Sequence, residues 1–173
     1  MQELEKKYLM NLLIGARMRE FRYGETFQLI FNKDYFQHEW KQFAMVLNID
    51  ASCWFGDRDE WQKQVEEYQN GESFSEKEDC LLASELVKLK YWNLIDVEAV
   101  ELTDGCLQII FSGENTLSIA CEGNTEGDCE WMLQELNDKP EHERMMICCQ
   151  ANTFYQDKVP EVFLSVRIVV CDD

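Results

Sequence analysis

Apolar residues recur with period two over several short runs of this chain and with a period near 3.6 over a few longer ones, which predicts antiparallel strands accompanied by helices. In residues 3–11, Leu4, Tyr8 and then Leu12 fall at i, i+4 and i+8 with Leu9 beside them, a helical stripe. Residues 12–21 then alternate, Ile14, Ala16 and Met18 against Gly15, Arg17 and Arg19, so a strand with one wet, basic face is expected. Tyr23-Gly24-Glu25 turns the chain and residues 26–31 return as the partner strand of a hairpin. Residues 32–40 are polar and aromatic, a loop or short helix carrying His38. Residues 43–55 read as one further strand with room for a bulge, ended by Gly56. Asp57 then caps a helix reaching Tyr68, with Trp61, Val65 and Tyr68 as its apolar stripe and Glu60 placed as in a capping box.

The second half repeats much of this. Asn70-Gly71-Glu72-Ser73 is a polar boundary, and Ser75-Glu76-Lys77-Glu78 carries a capping-box signature for a helix to about Tyr91 with Leu81, Leu82, Leu86 and Leu89 as its core face. Residues 94–102, 106–111 and 116–121 form three strands joined by turns at Thr103-Asp104-Gly105 and Ser112-Gly113-Glu114-Asn115. Residues 122–127 make a loop and residues 128–137 a short helix presenting Trp131, Met132 and Leu136. The tail departs from the repeat: residues 145–154, a turn near 156–158, Pro160, and an alternating run over 162–171 suggest an added hairpin.

The likeness is literal in places. Phe27-Gln28-Leu29-Ile30-Phe31 parallels Leu107-Gln108-Ile109-Ile110-Phe111, and Leu47-Asn48-Ile49 parallels Leu117-Ser118-Ile119. Leu47 to Trp61 and Leu117 to Trp131 share one spacing, and Gly24 and Gly105 mark a turn before each apolar run. The pattern therefore predicts an α+β fold of two related helix-plus-antiparallel-strand units, residues 1–70 and 71–173, the second with an added C-terminal hairpin. The helices pack on the sheet or sheets of one compact body.

Charge adds what periodicity cannot. Thirty-four acidic against 16 basic residues give a net charge of −18. Residues 1–70 hold 12 acids and 9 bases, −3, and residues 71–173 hold 22 and 7, −15. A field of that sign repels nucleic acid and anionic membrane surfaces and speeds encounter with basic proteins. The acids expected to face such a partner are Glu122, Glu126, Asp128, Glu130, Glu135, Asp138, Glu141 and Glu143, set against the single Lys139, with Glu98, Glu101 and Asp104 on the exposed face of a strand.

Catalytic and metal signatures do not emerge. The eight cysteines show no C-x2-4-C pair, and in a chain this size with apolar surroundings they are expected to be free, mostly buried thiols. His38 and His142 sit in no ligand or nucleophile motif, and Asp57-Arg58-Asp59-Glu60 reads as helix-start acids complementing the dipole. No cofactor is called for. The start shows no apolar leader and no run is long enough to span a membrane, so a cytoplasmic location is expected.

A small, acidic α+β chain with an acid-rich C-terminal half and no catalytic set resembles bacterial immunity proteins, which neutralise polymorphic or contact-dependent toxins. The resemblance implies a non-catalytic cytoplasmic inhibitor that binds a cognate toxin domain, often a basic nuclease, and blocks its active site by complementary charge. The alternative is a duplicated ligand-binding or enzymatic domain whose site lies between the two units.

Overall fold

The computed structural model describes residues 2–24, 26–33, 43–69, 72–103, 105–121, 129–137, 140 and 143–159. The expected loop at 32–40 with His38, the loop at 122–127, His142 and the terminal run at 162–171 therefore fall wholly or mainly outside the described residues.

The chain begins with α1 (Gln2–Leu13), which buries Tyr8, Leu9, Leu12 and Leu13. It runs two residues past the helix expected from the pattern and stops at Gly15, whose φ of 76° ends the spiral without the steric cost a side chain would meet. The Lys33 ammonium donates to the Asn11 and Ile14 carbonyls at 2.6 and 2.5 Å, placing a cation at the negative end of this helix. β1 (Arg17–Tyr23) and β2 (Phe27–Lys33) form the expected hairpin, and β3 (Phe43–Ile49) pairs with β2 in turn.

The run 43–55 is not one strand. Asp50, Ala51 and Ser52 carry the chain out of the first sheet, and β4 (Cys53–Phe55) joins a second one. α2 (Arg58–Glu67) follows, with the Asp57 carboxylate accepting from the backbone of Asp59 and Glu60, both at 3.0 Å. α3 (Phe74–Tyr91) starts from Ser73 rather than Ser75: Ser73 Oγ accepts from Glu76 N, and the Glu76 carboxylate returns to Ser73 N. The sequence holds two overlapping Ser-x-x-Glu signatures, and the one nearer the boundary is used. β5 (Val97–Thr103), β6 (Cys106–Phe111) and β7 (Asn115–Ala120) make the predicted meander.

β8 (Trp131–Glu135) replaces the expected short helix over 128–137. It lies between β3 and β9 (Met146–Gln150), and its alternation of buried Trp131, Leu133 and Glu135 with half-buried Met132 and Gln134 has the period of a strand. β10 (Thr153–Asp157) returns after a two-residue turn at Ala151-Asn152, with φ of 49° and 56°, which splits the strand expected over 145–154; the chain bends again at Lys158, φ 54°, within the turn expected near 156–158.

Two sheets result, one ordered β1-β2-β3-β8-β9-β10 and the other β4-β7-β6-β5. Helix plus three-stranded meander occurs twice, α1-β1-β2-β3 and α3-β5-β6-β7. The two meanders share register: Gln28 opposes Asn48 and Gln108 opposes Ser118, and each glutamine donates across its strand pair, at 2.9 and 3.3 Å. The next strand of each half then crosses over, β4 pairing with β7 and β8 with β3. β9 and β10 accordingly extend the sheet of the first half, not that of the second, while the run 162–171 expected to complete the added hairpin lies outside the described residues.

One core serves both sheets. Phe31 and Phe111, at equivalent places in the two copies, stack with ring centroids 6.4 Å apart and planes 12° from parallel. At one edge Gly15 N and Val97 N bond to Val97 O and Ala16 O, and Arg17 grips Asp96 in a two-pronged ion pair at 2.7 and 3.0 Å. Among the described residues no helix is long and apolar enough to cross a membrane.

Candidate functional site

The acids expected to meet a partner are spread by this topology. Glu98 and Glu101 are exposed on β5, the edge of the four-stranded sheet. A register shift between Val97 and Ala99 lets Val97 and Val100 both point inward and both glutamates point out, three positions apart. Glu143 is exposed in the turn before β9. Glu130 and Glu135 differ from expectation: they are only 3% and 8% exposed. On β8, Glu135 shares the buried face of Trp131 and Leu133, and just before the strand the Glu130 carboxylate accepts the Ala151 N–H at 2.9 and 3.1 Å. Both side chains are held inside the fold rather than presented at its surface. Asp104, Glu122, Glu126, Asp128, Asp138 and Glu141 lie outside the described residues.

Among the described residues an acidic surface gathers around β4 and α3. On one side of β4, a groove of about 280 Å³ is lined by Asp50, Glu78 and Asp79 together with Tyr23, Cys53 and Ser75. On the other, a groove of about 260 Å³ is lined by Asp57, Glu60, Glu85 and Glu114, with Phe55 and the buried Trp61 among its walls. No lysine or arginine is among the described residues lining either groove. The nearest arginine, Arg58, stands over the Trp54 ring at 4.8 Å and lines a smaller hollow of about 200 Å³ with Asp50, Cys129 and Glu130.

Proton affinities report the field of the first groove. Burial raises the Glu78 carboxyl above its usual range, and the Asp79 charge adds to the effect. The Cys53 thiol is pushed up to about 12 by burial, with Glu78 and Asp79 contributing. The Tyr23 hydroxyl, bonded to the Asp79 carboxylate, is also raised. Burial is the larger cause at Glu78 and Cys53, and the Asp79 carboxylate is the one contribution common to all three groups. Among the described residues no three His, Cys, Asp or Glu side chains are grouped to hold a metal ion. The carboxylates are instead strung along two grooves, an arrangement that suits several cationic side chains.

These residues come from the link after β3, the cap of α2, both halves of α3 and the β6–β7 turn. No stretch of sequence concentrates them. Only the cluster at 57–60 stood out, and there Asp57 caps the helix as expected, while the reciprocal bond of a capping box is seen at Ser73 and Glu76 of α3 instead.

Comparison of the chain with family models, with curated proteins and with solved structures returns no match.

Proposed function

We propose that this protein is a non-catalytic binder of basic protein domains and that it acts as an immunity protein, neutralising a basic toxin or nuclease domain by charge-complementary contact in the cytoplasm. The observation that carries the proposal is the pair of grooves flanking β4. Seven carboxylates line them without a lysine or arginine among the described lining residues, on a molecule of net charge −18. Long-range charge of this kind raises the rate of encounter, while the half-buried Phe55 supplies short-range apolar contact. Glu98 and Glu101, and Glu143, extend the negative surface beyond the grooves. The cationic side chains of a nuclease that bind phosphate are the groups these carboxylates would pair with.

The test reverses charge in one groove while leaving its helix cap intact: Glu60→Lys, Glu85→Lys and Glu114→Lys together. Wild type immobilised at low salt is expected to retain a basic protein from the source cell, to release it at high salt, and to inhibit that protein's own activity. The triple variant should associate far more slowly. Equal retention by both proteins, or inhibition untouched by the reversals, removes the proposal.

A ligand site between the two copies is the competing reading. The hollow where the crossing strands meet favours it, since it gathers Cys129, Asp50, Glu130 and Arg58. Protection of Cys129 from alkylation by a small-molecule metabolite would move the assignment there.

A further inference from the structure

A second surface has the opposite character. α3 buries Leu82, Leu86 and Leu89, while Val87 and Tyr91, one turn apart, point away from the core. The chain leaves the helix through Trp92 and turns at Asn93, with φ 56°. Val87, Tyr91 and Trp92 are 55%, 78% and 68% exposed, and the two aromatic rings meet edge to face with centroids 5.0 Å apart. Large aromatic side chains held in water at this level lose favourable burial, which contact with a partner would recover.

Two lysines flank them on the helix. Lys88 and Lys90 lie in the last turn of α3. β1 runs beside the same helix: Tyr23 bonds Asp79, and the charges of Lys90 and Arg19 both bear on Glu20. The charges along this β1–α3 seam are Arg19, Arg22, Lys88 and Lys90 against Glu20, Asp79 and Glu85, four positive less three negative, or +1. Arg22 engages Glu20 at 2.8 Å and Lys88 engages Glu85 at 2.5 Å, so the excess rests on Arg19 and Lys90. At physiological salt, fields fade over about 8 Å, so a small partner on this patch feels the local charge more than the distant −18.

We propose that Val87, Tyr91 and Trp92, with Arg19 and Lys90 at their rim, form a docking surface for an acidic amphipathic segment of a partner protein, separate from the acidic grooves. Charge complementarity selects the occupant, and the aromatic pair supplies the desolvated contact that Trp and Tyr commonly give at interfaces. An anionic membrane would offer similar chemistry. It would, however, present an extended negative plane to the whole acidic body, where a short segment meets only the patch.

The probe is an acidic amphipathic peptide rich in Glu and Leu, titrated into isotope-labelled protein and followed by amide and indole NMR shifts. A lysine-for-glutamate version of the peptide and phosphatidylserine vesicles are the other two arms. The acidic peptide is expected to shift Val87, Lys90, Tyr91 and the Trp92 indole, and Tyr91→Ala with Trp92→Ala should weaken it at least about tenfold. Arg19→Glu with Lys90→Glu should weaken it as well while sparing the fold, since these side chains are exposed. The basic peptide should shift groove residues instead, so that arm reads the acidic surface independently. The proposal is overturned by no shift at the patch, by unchanged affinity in the aromatic variant, or by vesicles taking the patch in preference to the peptide.

Discussion

If the two meanders share one core, Phe31 and Phe111 should be energetically coupled. Both rings are fully buried and stacked at 6.4 Å, one from each sheet. Truncation to alanine at either site would cost about 3–5 kcal/mol, a large share of the roughly 5–15 kcal/mol that stabilises an ordinary domain. Leucine is the better perturbation, because it keeps most of the apolar volume and removes the ring pair. Phe31→Leu and Phe111→Leu should each destabilise. Once one ring is gone, the second substitution should cost less, by the about 0.5–1.5 kcal/mol that aromatic pairing contributes beyond area burial. Urea unfolding, followed by tryptophan fluorescence and far-UV circular dichroism together, gives the four corners of the cycle. With a slope of about 2 kcal/mol per molar, the coupling would appear as a midpoint difference of a few tenths of a molar. Additivity within about 0.3 kcal/mol would refute the shared core, as would separate transitions for the two signals.

Three further outcomes follow from particular contacts. Ser73→Ala should cost about 1 kcal/mol through loss of the α3 cap, while Ser75→Ala, one helical position inside, should be close to neutral; urea midpoints distinguish the two. Glu130→Ala should destabilise by about 2 kcal/mol because it strips the acceptor from the Ala151 N–H, with Glu130→Gln milder, and a neutral Glu130→Ala would remove that role. Burial pulls the Lys33 ammonium from 10.5 down to about 8, so the folded state gives up its proton first and stability from this group rises between pH 8 and 10.5. The stability difference between wild type and Lys33→Met should therefore change by up to about 1.4 kcal/mol per pH unit in that window, and a flat difference would contradict the assignment.

Turn chemistry decided which parts of this fold were legible in the sequence. The hairpins at Gly24 and Gly105 and the turn at Gly113 were marked by glycine, and β2, β6 and β7 emerged with nearly their observed bounds, while β1 begins at Arg17, five residues after the expected start, because α1 continues to Leu13. Ala151-Asn152 makes an equally tight turn with both residues left-handed, yet alanine gives no signal for it. Around Trp131, Met132, Leu133, Gln134 and Glu135 are good helix formers, and pairing with β3 and β9 on either side overrode that preference. The passage from β3 to β4 was hidden for a different reason. Alternation continues through Leu47, Ile49, Ala51 and Cys53, and no local pattern says that the chain changes sheets. The acidic face inherits that blindness, since its walls meet only after the change. The net charge pointed to a basic partner, but among the described residues the acids gather in grooves assembled from distant segments, while two of the nominated glutamates are buried.

Because β4 is lent to the second half's sheet and β8 to the first's, the boundary near residue 70 is no place to cut. A fragment ending there would keep a donor strand with no host and leave β3 with an open flank, inviting a second fragment to fill it by strand addition. Two separately produced halves, mixed, should therefore reassemble one another's missing edges, and each alone should be prone to cling to its own kind.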